Sequence, residues 1–352
     1  MKKLLALILA LCMVLSMAAC GAPEAAPEAA PEAAPEAAPE AAPEAAPEED
    51  LANKTLKCGV ILDYMGASIF VEAVNSIKAT AADMNVEIIT WDCQVSPESM
   101  VQGLENFIAS EVDMIYLQNW TGYEAISGVV ERALEAGITI VAYDDEVPGA
   151  IYCTMADFTA LGYAMGDEAI TAFKKYAKAP DDIIVLTAAM NTEYGVTRTN
   201  LAIERIKQEL PDATIMTFDV IAYGGSGQSA GVQIGESLVS AYDNVAAVIC
   251  CDNANTAVGV AEAYKSAGIV DGLGVATMDG SLEEFKAIAD ESVFYATVDL
   301  GLVELMTDLF VKGINYIRTG EIEEPTKVYF YNTIVSKDNL TEYFDPATGT
   351  RK

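Results

Sequence analysis

The chain has 352 residues with 20 basic and 53 acidic side chains and no histidine, a formal charge of −33. That balance argues against nucleic acid and anionic lipid surfaces as partners. The missing imidazole removes Ser-His-Asp and Cys-His catalysis, histidine metal sites and the usual proton shuttle near neutrality. From Leu51 onward 18 basic and 44 acidic residues remain, a formal charge of −26, and about 300 residues at 52 % apolar overall suffice for two domains of ordinary size.

Lys2 and Lys3 precede an apolar run from Leu4 to Leu15, and small residues, Met17-Ala18-Ala19, abut Cys20. Leu4 to Ala19 would reach roughly 24 Å as a helix at about 1.5 Å per residue, short of the about 30 Å hydrocarbon core. Residues 1–19 therefore read as a signal peptide. Ala18-Ala19-Cys20-Gly21 resembles the lipobox of bacterial lipoproteins, which implies a diacylglycerol on the Cys20 thiol; an ordinary secretion signal is the other reading. Residues 20–50 then form a linker built on a six-fold Pro-Glu-Ala-Ala repeat. A proline at every fourth position removes an amide and collides with the preceding turn, so the segment cannot be an α-helix. Its nine carboxylates, with no cation among them, repel one another and extend it into an acidic spacer.

From Leu56 onward short apolar runs alternate with amphipathic stretches at close to thirty-residue spacing. The runs are 56–63, 86–92, 112–118 and 138–144, then 182–189, 213–219, 245–251 and 273–279. This spacing predicts an α/β fold of doubly wound sheets, with strands parallel and buried on both faces. Ile69, Ala73, Ile77 and Ala81 share one helical face, as do Ile126, Val130 and Leu134. Ser96-Pro97 supplies an N-cap and first-turn proline, and Gly137 and Gly268 supply C-terminal stops.

Ligands of such sheets collect beyond the carboxyl ends of the strands. Here those ends carry Asp63-Tyr64, Asp92, Asn119-Trp120, Asp144-Asp145, Asn191, Asp219, Asp252-Asn253 and Asp279-Gly280. One strand-end Asp or Asn is commonly a helix cap or turn residue. Eight in eight units point to a shared site. Carboxylates and amides accept and donate in the pattern that adjacent hydroxyls require, and Trp120, Tyr64, Phe70 and Tyr123 offer flat faces for a ring, with core packing as the alternative for each. Cys58, Cys93, Cys153, Cys250 and Cys251 contain no Cys-x-x-Cys spacing and read as small apolar residues. A vicinal Cys250-Cys251 disulfide is the alternative there.

Ala142-Tyr143-Asp144 after an Ala-Gly-Ile-Thr-Ile junction, Asp252-Asn253 leading into Ala257-Val258-Gly259, and Met278-Asp279-Gly280 carry a resemblance across 55–345. The chain resembles the sugar-binding lipoproteins of ABC importers, in the ribose-binding, type I periplasmic-binding-protein family. The resemblance implies two doubly wound parallel-sheet lobes joined by a three-segment hinge. Residues 51–156 with 300–329 would form the N-terminal lobe and 157–299 with 330–352 the C-terminal lobe, with crossings near Ala156-Asp157, Asp299-Leu300 and Val328 to Asn332. It implies ligand contacts from Asp144, Asn253, Asp279 and Asp299, and from Arg198 at the start of the second lobe's first helix. Asp63, Tyr64, Asn119, Trp120, Asp145 and Asn191 complete the expected site.

Asp145 stands where ribose binders usually carry arginine, and with Tyr143-Asp144-Asp145 and Val335-Ser336-Lys337-Asp338-Asn339 the resemblance leans to the rhamnose and furanosyl-autoinducer branch. The expectation is an extracytoplasmic monomer without cofactor and with no residue assigned to a metal, whether a structural metal is bound being left open. Such a protein closes on a small neutral sugar-like ligand, hands it to ABC permease subunits and makes or breaks no bond. A sensor presenting the same ligand to a membrane receptor needs the same pocket. An enzyme of the dehydrogenase type rests on Gly225-Ser226-Gly227 and Gly231, which lack the final glycine spacing of a dinucleotide loop. A repressor of related architecture needs a basic helix-turn-helix where this chain has a signal peptide.

Overall fold

A computed structural model describes Leu51 and residues 53–120, 122–144, 146–290, 292–330 and 332–352. The signal peptide, Cys20, the linker and Asp145 lie outside the described residues.

The chain opens with β1 (Leu56–Leu62), α1 (Ser68–Asp83), β2 (Val86–Asp92), α2 (Pro97–Ala109), β3 (Met114–Gln118), α3 (Tyr123–Glu135), β4 (Thr139–Tyr143) and β5 (Tyr152–Met155). There follow α4 (Phe158–Tyr176), β6 (Ile183–Ala188), α5 (Glu193–Glu209), β7 (Thr214–Asp219), a 3-10 turn at Val220–Tyr223, α6 (Gln228–Ala241), β8 (Val245–Cys250), α7 (Ala254–Ser266), β9 (Gly274–Asp279), α8 (Leu282–Ala289) and β10 (Phe294–Asp299). The chain ends with α9 (Leu302–Thr319), β11 (Lys327–Tyr329), β12 (Thr333–Ser336), α10 (Leu340–Tyr343) and the two-residue strands β13 (Phe344–Asp345) and β14 (Thr350–Arg351). Each of the eight apolar runs became a strand that ends within a residue of where the run ends. The cause is local: a run of β-branched and aliphatic residues between turn-forming residues pairs well only when both of its faces are covered.

Two six-stranded sheets carry the same order, β2-β1-β3-β4-β5-β11 and β7-β6-β8-β9-β10-β12. The chain passes between them three times, from β5 into α4, from β10 into α9, and from β11 into β12. The expectation of wholly parallel strands needs one correction. β12 runs antiparallel to β10; β11 in one sheet and β12 in the other follow each other in the chain with no crossover helix between them. The outer strands β2 and β7 are only partly buried, since an edge strand has a neighbour on one side alone.

α1 and α9 cover one face of the first sheet, where Leu56, Cys58, Val60, Ile77 and Phe310 are buried together. Met100, Leu104, Phe107, Ile126 and Val130 fill the other face. In the second sheet α6, α7 and α8 cover a core with Ile234, Leu238, Val260 and Phe285. Gly231 and Gly259 lie where α6 meets the turn and backbone of α7, and an added methyl on either would overlap a main-chain carbonyl, of Thr256 or Gln228 respectively. Gly231 thus serves close helix contact. Gly137 and Gly268 end α3 and α7 with φ of 79° and 78°, the left-handed geometry that glycine adopts without steric cost. Among the described residues no helix is long and apolar enough to cross a membrane. Cys250 and Cys251 are buried free thiols, and burial pushes the Cys251 thiol up to about 12.

Candidate ligand-binding cleft

The carboxyl ends of both sheets supply side chains to one connected group. Asp144 follows β4, and its Oδ2 accepts a hydrogen bond from Trp120 Nε1 at 2.6 Å. The Trp120 backbone N–H donates to Oδ2 of Asp63, which is fully buried after β1. Phe70, on α1, meets the Trp120 ring edge-on at 5.7 Å and Tyr143 at 6.0 Å. From the second lobe, Tyr194 on α5 approaches Trp120 at 6.5 Å between ring centroids. The Arg198 guanidinium lies 4.9 Å over the Tyr194 ring and its Nη1 reaches Met278 Sδ at 3.1 Å.

Asp279 closes the circuit. Burial pushes its carboxyl up to about 7, the nearby Arg198 guanidinium opposes that rise and the Asp144 carboxylate adds to it. Asp279 thus lies under the influence of a carboxylate from the other lobe and of the buried Arg198 guanidinium. Arg198 is only 6 % exposed, and its Nε and Nη2 have no hydrogen-bond partner. Desolvated donors of this kind are costly unless an acceptor arrives. Asp144 and Asp279 also have left-handed backbones, with φ of 65° and 105°. That conformation is strained for residues other than glycine and concentrates at functional sites.

The remaining expected residues take varied positions. Asn253 caps α7 through Oδ1, which accepts the Asn255 N–H at 2.8 Å. Asn119 is buried beside Trp120 in sequence, Tyr64 is 37 % exposed, and Asn191 is exposed in the turn before α5. Asp299 receives the Gly301 N–H at 2.9 Å and Arg351 Nη1 at 3.3 Å, so its carboxylate holds a hinge strand. Arg198 is not in the second lobe's first helix. It lies in α5, because α4 already enters this lobe from the hinge before β6 begins. Of the other strand-end acids, Asp252 binds the Thr187 and Thr256 hydroxyls, Asp92 the Met65 and Gln94 N–H groups, and Asp219 the Ile221 N–H. These three support loops.

Several participants escaped the sequence reading. Tyr194 and Phe158 stack at 6.4 Å, and Phe330 stacks on Tyr143 at 5.6 Å at the third crossing. Gln118 is wholly buried at the end of β3 with neither amide atom hydrogen-bonded. Its signal was available, since it is the polar end of an otherwise apolar strand. Among the described residues no group of three or more His, Cys, Asp and Glu is placed to hold a metal ion.

Two similar α/β lobes joined by three crossings, with facing polar rims, define a two-lobed ligand-binding protein. The chain belongs to the periplasmic binding protein family, whose domain model matches residues 58–300. No curated protein sequence matches it. Among solved structures, the chain is similar to the periplasmic binding component of an arabinose ABC transporter from Shewanella sp. ANA-3, bound to L-arabinofuranose. The identity is 20 %, over 81 % of this chain and 93 % of that one, with a TM-score of 0.66. A Mycobacterium smegmatis protein in complex with β-D-fucofuranose shares 20 % identity over 82 % and 93 % of the two chains, with a TM-score of 0.67. The Caulobacter myo-inositol binding protein shares 18 % over 82 % and 96 %, with a TM-score of 0.66.

Proposed function

We propose that this protein captures a monosaccharide or a similar neutral polyol between its lobes and delivers it to an ABC permease. Residues 51–156 with 300–329 form one lobe and 157–299 with 330–352 the other. The observation that carries this reading is the buried Arg198 guanidinium, with two unbonded nitrogen atoms, near Asp279 and over the Tyr194 ring, which in turn approaches the Trp120 ring hydrogen-bonded to Asp144. Acceptors and donors set around aromatic faces match vicinal hydroxyls on one side of a sugar ring and its C–H surface on the other. The ligands named for the similar structures, furanoses and an inositol, belong to that class. In this reading Cys20 carries the lipid and the acidic linker holds a monomer away from the outer face of the membrane.

A thermal-shift screen against pentoses, hexoses, deoxy-sugars, inositols and a furanosyl autoinducer tests the proposal, and failure of every neutral polyol to raise the melting temperature defeats it. With the best hit, Asp144→Ala should weaken binding in calorimetry by at least about 1.5 kcal/mol, roughly tenfold, through loss of a charged acceptor. Asp338→Ala serves as the control. Asp338 instead accepts the Tyr295 hydroxyl at 3.2 Å and faces Lys175, so affinity should be unchanged. Equal losses in the two variants would remove Asp144 from the site.

A further inference from the structure

Glu72 lies on α1 in the first lobe, yet its partners are all in the second. Its Oε1 accepts the backbone N–H of Leu282 at 2.8 Å, and its Oε2 stands 3.7 Å from Arg351 Nε. Leu282 is the first residue of α8, where the N–H has no partner inside the helix and the helix dipole favours a carboxylate. Arg351, carried by β14 at the end of the chain, holds Asp299 Oδ2 through Nη1 at 3.3 Å and the Gly280 carbonyl through Nη2. Its guanidinium lies 4.8 Å over the Phe285 ring. Both members of the pair are mostly buried, with 18 % of each side chain exposed.

We infer that Glu72 and Arg351 form a clasp between the two lobes that favours their closed form and positions the Asp279-Gly280 turn for capture. This goes beyond the binding reading but rests on its two-lobe closure. Opening the lobes would return Glu72 and the Leu282 N–H to water. Closing them sets Glu72 between α8 and Arg351, with Lys286 as a further nearby cation, while burial raises the Glu72 pKa against that help. The consequence is an asymmetry between the partners. Without Arg351, Glu72 is a carboxylate buried on closure with its main countercharge gone, which disfavours the closed form more than loss of the whole pair. A clasp that populates the closed form also removes part of the conformational cost that a ligand would otherwise meet.

The test uses the full chain without ligand. Spin labels attached through a ketone-bearing amino acid at Lys78 on α1 and Glu236 on α6, both exposed, report the distance between lobes by pulsed electron resonance. The wild type should show a short-distance population. Arg351→Met should shift the short-to-long ratio about tenfold toward long, Glu72→Ala about threefold, and Glu72→Gln with Arg351→Met should recover most of the Arg351→Met loss. Glu72→Ala keeps the test decisive should Arg351→Met fail to fold. A wild type with only long distances, single variants indistinguishable from it, or a double variant no better than Arg351→Met overturns the clasp. Since no sugar is added, a failed ligand screen leaves this result standing, and a failed clasp leaves the ligand reading standing.

Discussion

Arg198→Met is expected to weaken ligand binding by about 2–3 kcal/mol, roughly 30- to 150-fold, while leaving the ligand-free protein at least as stable as before. The two halves of that expectation have one cause. Arg198 is buried in α5 with Nε and Nη2 unbonded, with Met278 Sδ and the Tyr194 face as close partners among the described residues. In the empty cleft this is a desolvated cation without full compensation, which a methionine of similar reach removes. In the proposed ligand complex the same nitrogen atoms would donate charge-assisted hydrogen bonds to ligand oxygen atoms, which methionine cannot replace.

Asp279 moderates the first half without reversing it. Its carboxyl already sits at about 7, held down by Arg198 against burial and Asp144. Without the guanidinium it moves further toward the neutral acid at pH 7, so it is not stranded as a buried anion. Calorimetry and a melting curve on the same sample separate the roles. Lost binding with an unchanged or higher melting temperature marks a ligand-directed residue, whereas a parallel fall in both shows that Arg198 acts only in packing.

Much of this geometry was legible because it is local. An apolar run such as Val245 to Cys251 needs cover on both faces, and its polar successor Asp252 has to sit where the sheet ends. The reading was therefore secure for strand positions and for the level of the cleft. It could not separate acids that face the cleft from acids that tie loops. Asp144 and Asp252 look alike in sequence, yet one accepts from Trp120 while the other binds Thr187 and Thr256. Their difference lies in which distant strand or helix stands opposite.

The same limit explains the elements and residues that were not read. β5 and β11 hold four and three residues and pair with each other across more than 170 positions, with register Lys327 to Cys153. No periodicity of length three or four declares such a strand. Tyr194 has no local mark of function, since it follows a helix cap like any first-turn residue. Glu72 reads as a solvent-facing position on an amphipathic helix. It becomes an interlobe contact because the start of α8 and the folded-back Arg351, both distant in sequence, stand opposite it.

The second large effect concerns pH and lies away from the cleft. Glu168 is 2 % exposed on α4, its Oε2 has no hydrogen-bond partner, and burial with the adjacent Asp167 pushes its carboxyl up to about 8. Between an unfolded value near 4.5 and the folded value near 8, the folded protein holds a proton that the unfolded chain has released. Stability supplied by this group is therefore present at low pH and declines as pH rises through that window. From pH 6 to 8.5 the loss amounts to about 3 kcal/mol at about 1.4 kcal/mol per unit. At roughly 2–4 °C per kcal/mol, the wild type should melt some 6 °C or more lower at pH 8.5 than at pH 6. Asp279, also raised by burial, adds to the same trend. Glu168→Gln keeps the shape and removes the proton, so its melting temperature should exceed the wild type's at pH 8.5 by several degrees and match it at pH 6. Parallel melting curves for the two proteins across this range would show that Glu168 is hydrated or paired in solution, and would remove it as the source of the pH dependence.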